Sequence, residues 1–135
     1  MYKASSTKQQ KIKSFTDLIA WREAHKLAIK VYQITRAFPK EEQFGLTSQI
    51  RRAAVSVGSN IAEGFSRNTK AEKLNFYAVA QGSLTEVQSQ LLLARDIDYV
   101  TSELCNEVAQ LTTSAQKLIN GLIRAVRDGQ GVVVK

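Results

Sequence analysis

The chain has 135 residues, 44% of them hydrophobic and 23% charged, with one proline, which fits a single globular domain and excludes a disordered polypeptide. No apolar run approaches the roughly 18 residues of a membrane span, and a single cysteine, Cys105, excludes an internal disulfide. The formal net charge of +7 and pI near 9.7 favour a polyanionic partner through long-range attraction and counterion release.

Residues 1–13 carry Lys3, Lys8, Lys11 and Lys13 without apolar periodicity, so they are expected to form a flexible basic arm. No apolar core follows it, so the arm does not read as a secretory signal, and a cytoplasmic protein is expected. A helical domain over residues 14–127 and a flexible tail over 128–135 complete the expected organisation. SFTD at 14–17 matches a capping box, with Ser14 facing the amide of Asp17, and predicts a first helix running to about Ala37. Its apolar arc is Ala20, Trp21, Ala24, Leu27, Ala28, Val31 and Tyr32. His25, the only histidine, falls beside Trp21 and Tyr32 and reads as a boundary residue, because no acid or thiol stands at a useful spacing. Phe38-Pro39 ends this helix, since the residue before proline is pushed out of the α region.

The second helix lies in the stretch 45–67, GLTSQIRRAAVSVGSNIAEGFSR, ending near Gly64, and the rest of the chain is organised around it. Leu46, Ile50, Ala53, Ala54, Val57 and Ile61 recur at three and four, which sets them on one apolar stripe. Gln49, Arg52, Ser56, Asn60 and Glu63 form a polar row beside it. Polar groups that close to a core need partners, because a buried unsatisfied group costs roughly 1–3 kcal/mol. The helix therefore reads as packed on both sides, against its own core and either a polar network or another subunit; a partly wetted surface helix is the plainer alternative. Gly64 is expected to end it in the left-handed conformation. Gly58 marks either a kink or a close helix contact.

Thr69 and Glu72 form a second capping box, opening a helix to about Asp96. Phe76, Tyr77, Ala80, Leu84, Val87 and Leu91 make its main seam. Val79, Gly82, Ser83, Glu86, Gln90 and Leu93 make an adjoining one, where Gly82 and Ser83 would admit another backbone. Glu86 and Gln90 are the expected partners of Arg52, Ser56 or Asn60. After a turn at 98–101, Thr101 is a candidate N-cap for a fourth helix. Its seam is Leu104, Val108, Leu111, Ala115, Leu118, Leu122 and Ala125, a heptad pattern over about three repeats. Four helices, short connections and no strand pattern predict an all-α, antiparallel up-down-up-down four-helix bundle.

The chemistry of catalysis is missing. The glycines match neither phosphate-cradling pattern, GxxxxGKS/T or GxGxxG, and no Cys/His metal spacing or GxSxG elbow is present. Glu63, Glu72 and Glu86 do not make a di-metal set, which needs Glu-x-x-His pairs. A non-enzymatic protein without cofactor, metal or small-molecule substrate is expected.

Three runs, FTDLIAW at 15–21, FPKEEQFGLTSQIRRAAVSVGSNIAEG at 38–64 and FYAVAQGSLTEVQSQLLLA at 76–94, carry a family resemblance. Over residues 15–99 the chain resembles the bacterial four-helix-bundle family encoded in intervening sequences of 23S ribosomal RNA genes. One departure stands in the core string, where Gly58 takes the place of a frequent proline. The resemblance implies an up-and-down bundle assembling as a ring, commonly a pentamer, and it carries over no catalytic residue. It casts Arg51, Arg52, Asn60, Glu63 and Glu86 as structural or interfacial. A distantly similar bundle protein assists reverse transcription in retroelements and binds nucleic acid through a basic ring surface.

Two functions follow. The leading expectation is an oligomeric RNA- or DNA-binding protein that contacts phosphates through Arg51, Arg67, Lys70 and Lys73, the last three clustered between the second and third helices. No exposed aromatic–basic interleaving for base stacking is read in the sequence, so binding should not be sequence-specific. The alternative is a protein-binding scaffold whose basic surface is incidental.

Overall fold

In the computed structural model, which describes residues 11–129, four α-helices pack around one core: α1 (Ile19–Thr35), α2 (Leu46–Ser66), α3 (Lys70–Asp96) and α4 (Ser102–Arg127). Among the described residues there is no strand. The expected tail from residue 130 and the expected arm up to residue 10 lie outside them. Ile12 already packs against the core, and the Lys13 amide donates to Asp17 Oδ2 at 2.9 Å.

The SFTD capping box forms, but it caps a single 3₁₀ turn, Phe15–Asp17, and not α1. Leu18 follows with an extended backbone (ψ 127°) and drops its side chain into the core, leaving it 1% exposed. Burying that leucine reorients the chain, so α1 starts at Ile19 and ends at Thr35, short of Ala37. The Thr35 hydroxyl is buried, and it donates to the Val31 carbonyl at 2.7 Å one helical turn back.

α2 packs on both α1 and α3, and α4 closes the cycle against both. Its apolar stripe Leu46, Ile50, Ala53, Ala54, Val57 and Ile61 is wholly buried, as its spacing requires. No residue at Gly45 can supply a side-chain cap. Glu42 does so from the preceding turn, with Oε1 accepting from the Leu46 amide at 3.0 Å. α2 runs unbroken through Gly58, where a Cβ would meet Trp21 Nε1 at 3.4 Å and Ala24 Cβ at 3.7 Å, ordinary contact distances that leave room for a methyl group. Gly64 is not the expected left-handed terminus but lies inside the helix, where a Cβ would stand 2.6 Å from the ring of Tyr77. Tyr77 is buried beneath it, and burial pushes its phenol up to about 12.

Thr69 and Thr101 cap α3 and α4 as expected, accepting from the amides of Glu72 and Leu104 at 3.1 Å each. α3 ends in a paired 5→2 and 6→1 closure: the Asp98 amide donates to Arg95 and the Tyr99 amide to Ala94. Asp98 takes the left-handed conformation (φ 66°) that glycine usually fills there. In α4 the buried line is Cys105, Val108, Thr112, Ala115, Ile119, Leu122 and Val126, so the helix is rotated from the expected leucine seam. Leu104, Leu111 and Leu118 flank the core instead. Thr112 can occupy the interior because its hydroxyl donates to the Ala109 carbonyl at 2.7 Å and accepts from Gln88. Cys105 is 2% exposed.

Candidate functional site

The turn between α2 and α3 gathers Arg67, Lys70 and Lys73 as the sequence reading expected, and two of the three are engaged in holding the turn. At the end of α2 the Lys73 ammonium donates to the carbonyls of Gly64 (3.2 Å), which also accepts from the Arg67 amide, and Phe65 (2.8 Å). It also stands 5.5 Å from the centre of the Phe65 ring. This half-buried position costs the ammonium hydration and pulls its pKa below the ordinary lysine value. Arg67 reaches back one turn to Glu63 Oε2 at 2.7 Å and lies 4.9 Å over the Phe76 ring. Lys70 is exposed, in the first turn of α3, where free amides and the helix dipole favour anions.

Arg51 does not join them. It sits 16 residues up α2, roughly 24 Å away at 1.5 Å per residue. Its Nε donates to Thr35 Oγ1 at 2.7 Å, and its guanidinium lies 4.5 Å over the Tyr32 ring. It is thereby a clamp on the C-terminal end of α1.

The polar row of α2 divides in two. Ser56 shares a 2.8 Å hydrogen bond with the Ser83 hydroxyl, and Asn60 Nδ2 donates to the Ser56 carbonyl (2.8 Å) and hydroxyl (3.0 Å). That half-buried network ties α2 to α3. The partner expected from Glu86 or Gln90 is supplied instead by Ser83, which the α3 periodicity puts in the core. Gln49, Arg52 and Glu63 are exposed, as is Glu86, while the Gln90 side-chain oxygen is buried and unpartnered. Gly82 admits no second backbone within the protomer, since a Cβ there would meet nothing within 4 Å.

The sequence reading missed a groove of about 640 Å³ between α1 and α2. Trp21 and His25 stack in it with ring centres 4.6 Å apart and planes 17° apart, and Phe15 meets Trp21 edge-on at 5.2 Å. Tyr32, Arg36 and Val55 extend its lining. The signal was present as Trp21, His25, Tyr32 and Arg36, spaced four, seven and four apart, with Arg22 and Lys26 interleaved. Trp21 and Tyr32 were read as part of the apolar arc and His25 as a boundary residue, so the basic residues between them were passed over.

The described residues define an all-α class in which four helices share one core. Within that class the chain belongs to the 23S rRNA-intervening sequence protein family, whose pattern it matches over residues 16–121. A solved structure of a protein of unknown function from the S23 ribosomal protein family of Bacteroides thetaiotaomicron VPI-5482 is similar in fold, with a TM-score of 0.71 at 22% identity. The match covers 78% of this chain and 99% of that one. No curated protein matches the sequence. No helix among the described residues is long and apolar enough to cross a membrane.

Proposed function

We propose that this is a non-enzymatic, cytoplasmic, homo-oligomeric protein that holds RNA or DNA by its phosphates without reading sequence. The helices form an antiparallel up-down-up-down bundle, and bundles assemble into a ring, with a pentamer favoured by the family resemblance. The observation that carries this reading is the surplus of unspent positive charge. Nineteen basic residues face twelve acidic ones, and only four ion pairs form among the described residues. Exposed Lys70 presents that surplus at a helix start, with Arg67 beside it still part-exposed though paired with Glu63, and a ring would repeat the cluster in each subunit.

The test is fluorescence anisotropy of a labelled single-stranded RNA over a salt series. Affinity should fall linearly on a log–log plot, with a slope of about −0.7 per neutralised phosphate. Arg67→Gln with Lys70→Gln should weaken binding and flatten the slope by roughly 0.7 for each lost contact. Lys73 is left intact, since its ammonium closes α2. If that double variant binds like the parent while removal of residues 1–10 abolishes binding, the folded domain is not the nucleic-acid reader. The scaffold alternative draws on Phe44, 90% exposed in the α1–α2 connection. A protein partner retained at high salt would favour it.

A further inference from the structure

We propose that the groove between α1 and α2 receives unstacked bases of single-stranded nucleic acid, an inference that rests on the phosphate-binding reading above. The groove's volume of about 640 Å³ lies within the range of small-ligand sites. Its floor already contains one parallel aromatic stack. Trp21 supports one face of His25, and His25 is itself exposed, so a base laid against the outer imidazole face would continue the stack. Tyr32, 42% exposed, lies two turns along the same stripe. Every base offers a π-face, so such stacking discriminates little between sequences.

Charge selects the class of occupant. The lining includes Arg36 and no carboxylate. On the α1 wall Arg22 stands three residues before His25 and Lys26, itself paired with Glu23, three before Ile29, and exposed Arg52 stands one turn before Val55 on α2. An occupant must therefore offer flat apolar faces inside and negative charge at the rim, as a strand of nucleotides does. Gln33 and Ser59 place an amide and a hydroxyl in the lining for base edges. A second copy docking the same face in two-fold fashion would bring these cations against each other, which is repulsive. A duplex keeps its bases stacked inside, so the groove separates single from double strands.

Trp21 is the only tryptophan, so its emission reports on the groove alone. The experiment titrates the full chain with a labelled oligouridylate, and with a hairpin duplex of equal phosphate number. Anisotropy reads binding and Trp21 emission reads the groove. The expected result is quenching of Trp21 by the single strand and not by the duplex. His25→Ala should weaken single-strand affinity between about 5-fold and 150-fold, the range of one lost stack, and leave duplex affinity unchanged. His25→Tyr, which keeps an aromatic face, should restore it. If both nucleic acids bind, yet Trp21 is silent and His25→Ala binds normally, the groove inference falls and the phosphate reading stands. If the parent binds neither, both fall. If Trp21 emission instead changes with protein concentration alone, in step with particle mass, a second copy fills the groove and the inference is overturned.

Discussion

Gly58 and Gly64 lie on the same helix and answer different neighbours. An alanine at Gly58 would meet Trp21 and Ala24 at ordinary contact distance, so Gly58→Ala should be neutral or add up to about 1 kcal/mol through helix propensity. At Gly64 the new methyl would press on two ring carbons of Tyr77, at 2.6 and 2.9 Å, and that ring is only 1% exposed. Overpacking of this kind typically costs about 1–3 kcal/mol, which outweighs the propensity gain. Urea denaturation should show Gly64→Ala less stable than the parent and Gly58→Ala no less stable. A destabilised Gly58→Ala beside an unaffected Gly64→Ala would reverse the assignment. The sequence offered Gly64 as a helix end because glycine near a helix terminus usually is one. What decides the matter is a tyrosine brought in from α3, and no local pattern records it. Ser83 is a similar case: its spacing set it in the adjoining seam as a place for another backbone, but it is buried and bonds to Ser56, which depends on how two helices register.

At the scale of the element, α2 is secured at both ends by residues outside it. Glu42 accepts from the Leu46 amide and from the Tyr99 hydroxyl, at 3.0 and 2.8 Å, and so joins the start of α2 to the connection between α3 and α4. The Leu46 amide, with Tyr99 second, holds the Glu42 carboxyl below its ordinary value of 4.5. A carboxyl depressed in the folded state binds protons more readily in the unfolded one, so stability rises with pH across this window. The contribution is complete above pH 4.5 and is lost as pH falls through the folded-state value. Urea midpoints should therefore fall on acidification below that point, and Glu42→Gln should flatten the fall. An unchanged acid profile would show that the carboxylate does not sense folding. The caps at Thr69 and Thr101 were legible because they join residues three apart. The SFTD box was equally legible, but its reach was not: the box closes one turn, and the pull of Leu18 into the core ends it there. In α4 a leucine heptad looked like the seam. Val108, Ala115 and Leu122 keep their places, but Cys105, Thr112, Ile119 and Val126 are buried in place of the residues before them, and the Thr112 hydroxyl can be buried because it is paired.

For the whole molecule, α3 poses the question of assembly. Its inner seam is buried, while on its outer face Val79 is 45% and Leu93 51% exposed, with Gly82 open between them. A face of this composition suits close approach by another helix. Light scattering at micromolar concentration should give a mass several times 15.0 kDa. Val79→Glu with Leu93→Glu should reduce it to that of one chain while leaving helical content unchanged. A parent that is already monomeric would remove both the ring and the multivalent argument for nucleic-acid binding. Helix number, order and most core positions were legible because each follows from periodicity within one segment. The polar row of α2 was legible only as a need for partners, since the register that brings Ser83 to Ser56 leaves no spacing of its own in either helix.

Cys105 turns this architecture into a clock. It is the only thiol and sits 2% exposed one turn into α4, with its amide bonded to the Thr101 carbonyl. A thiol so enclosed meets an external reagent only when that end of α4 has come away from the core. Its rate of modification therefore counts openings of the helix end and not encounters with reagent. The same sulfur would then register, in minutes or hours, any partner that changes the breathing of this helix, whether or not that partner touches it.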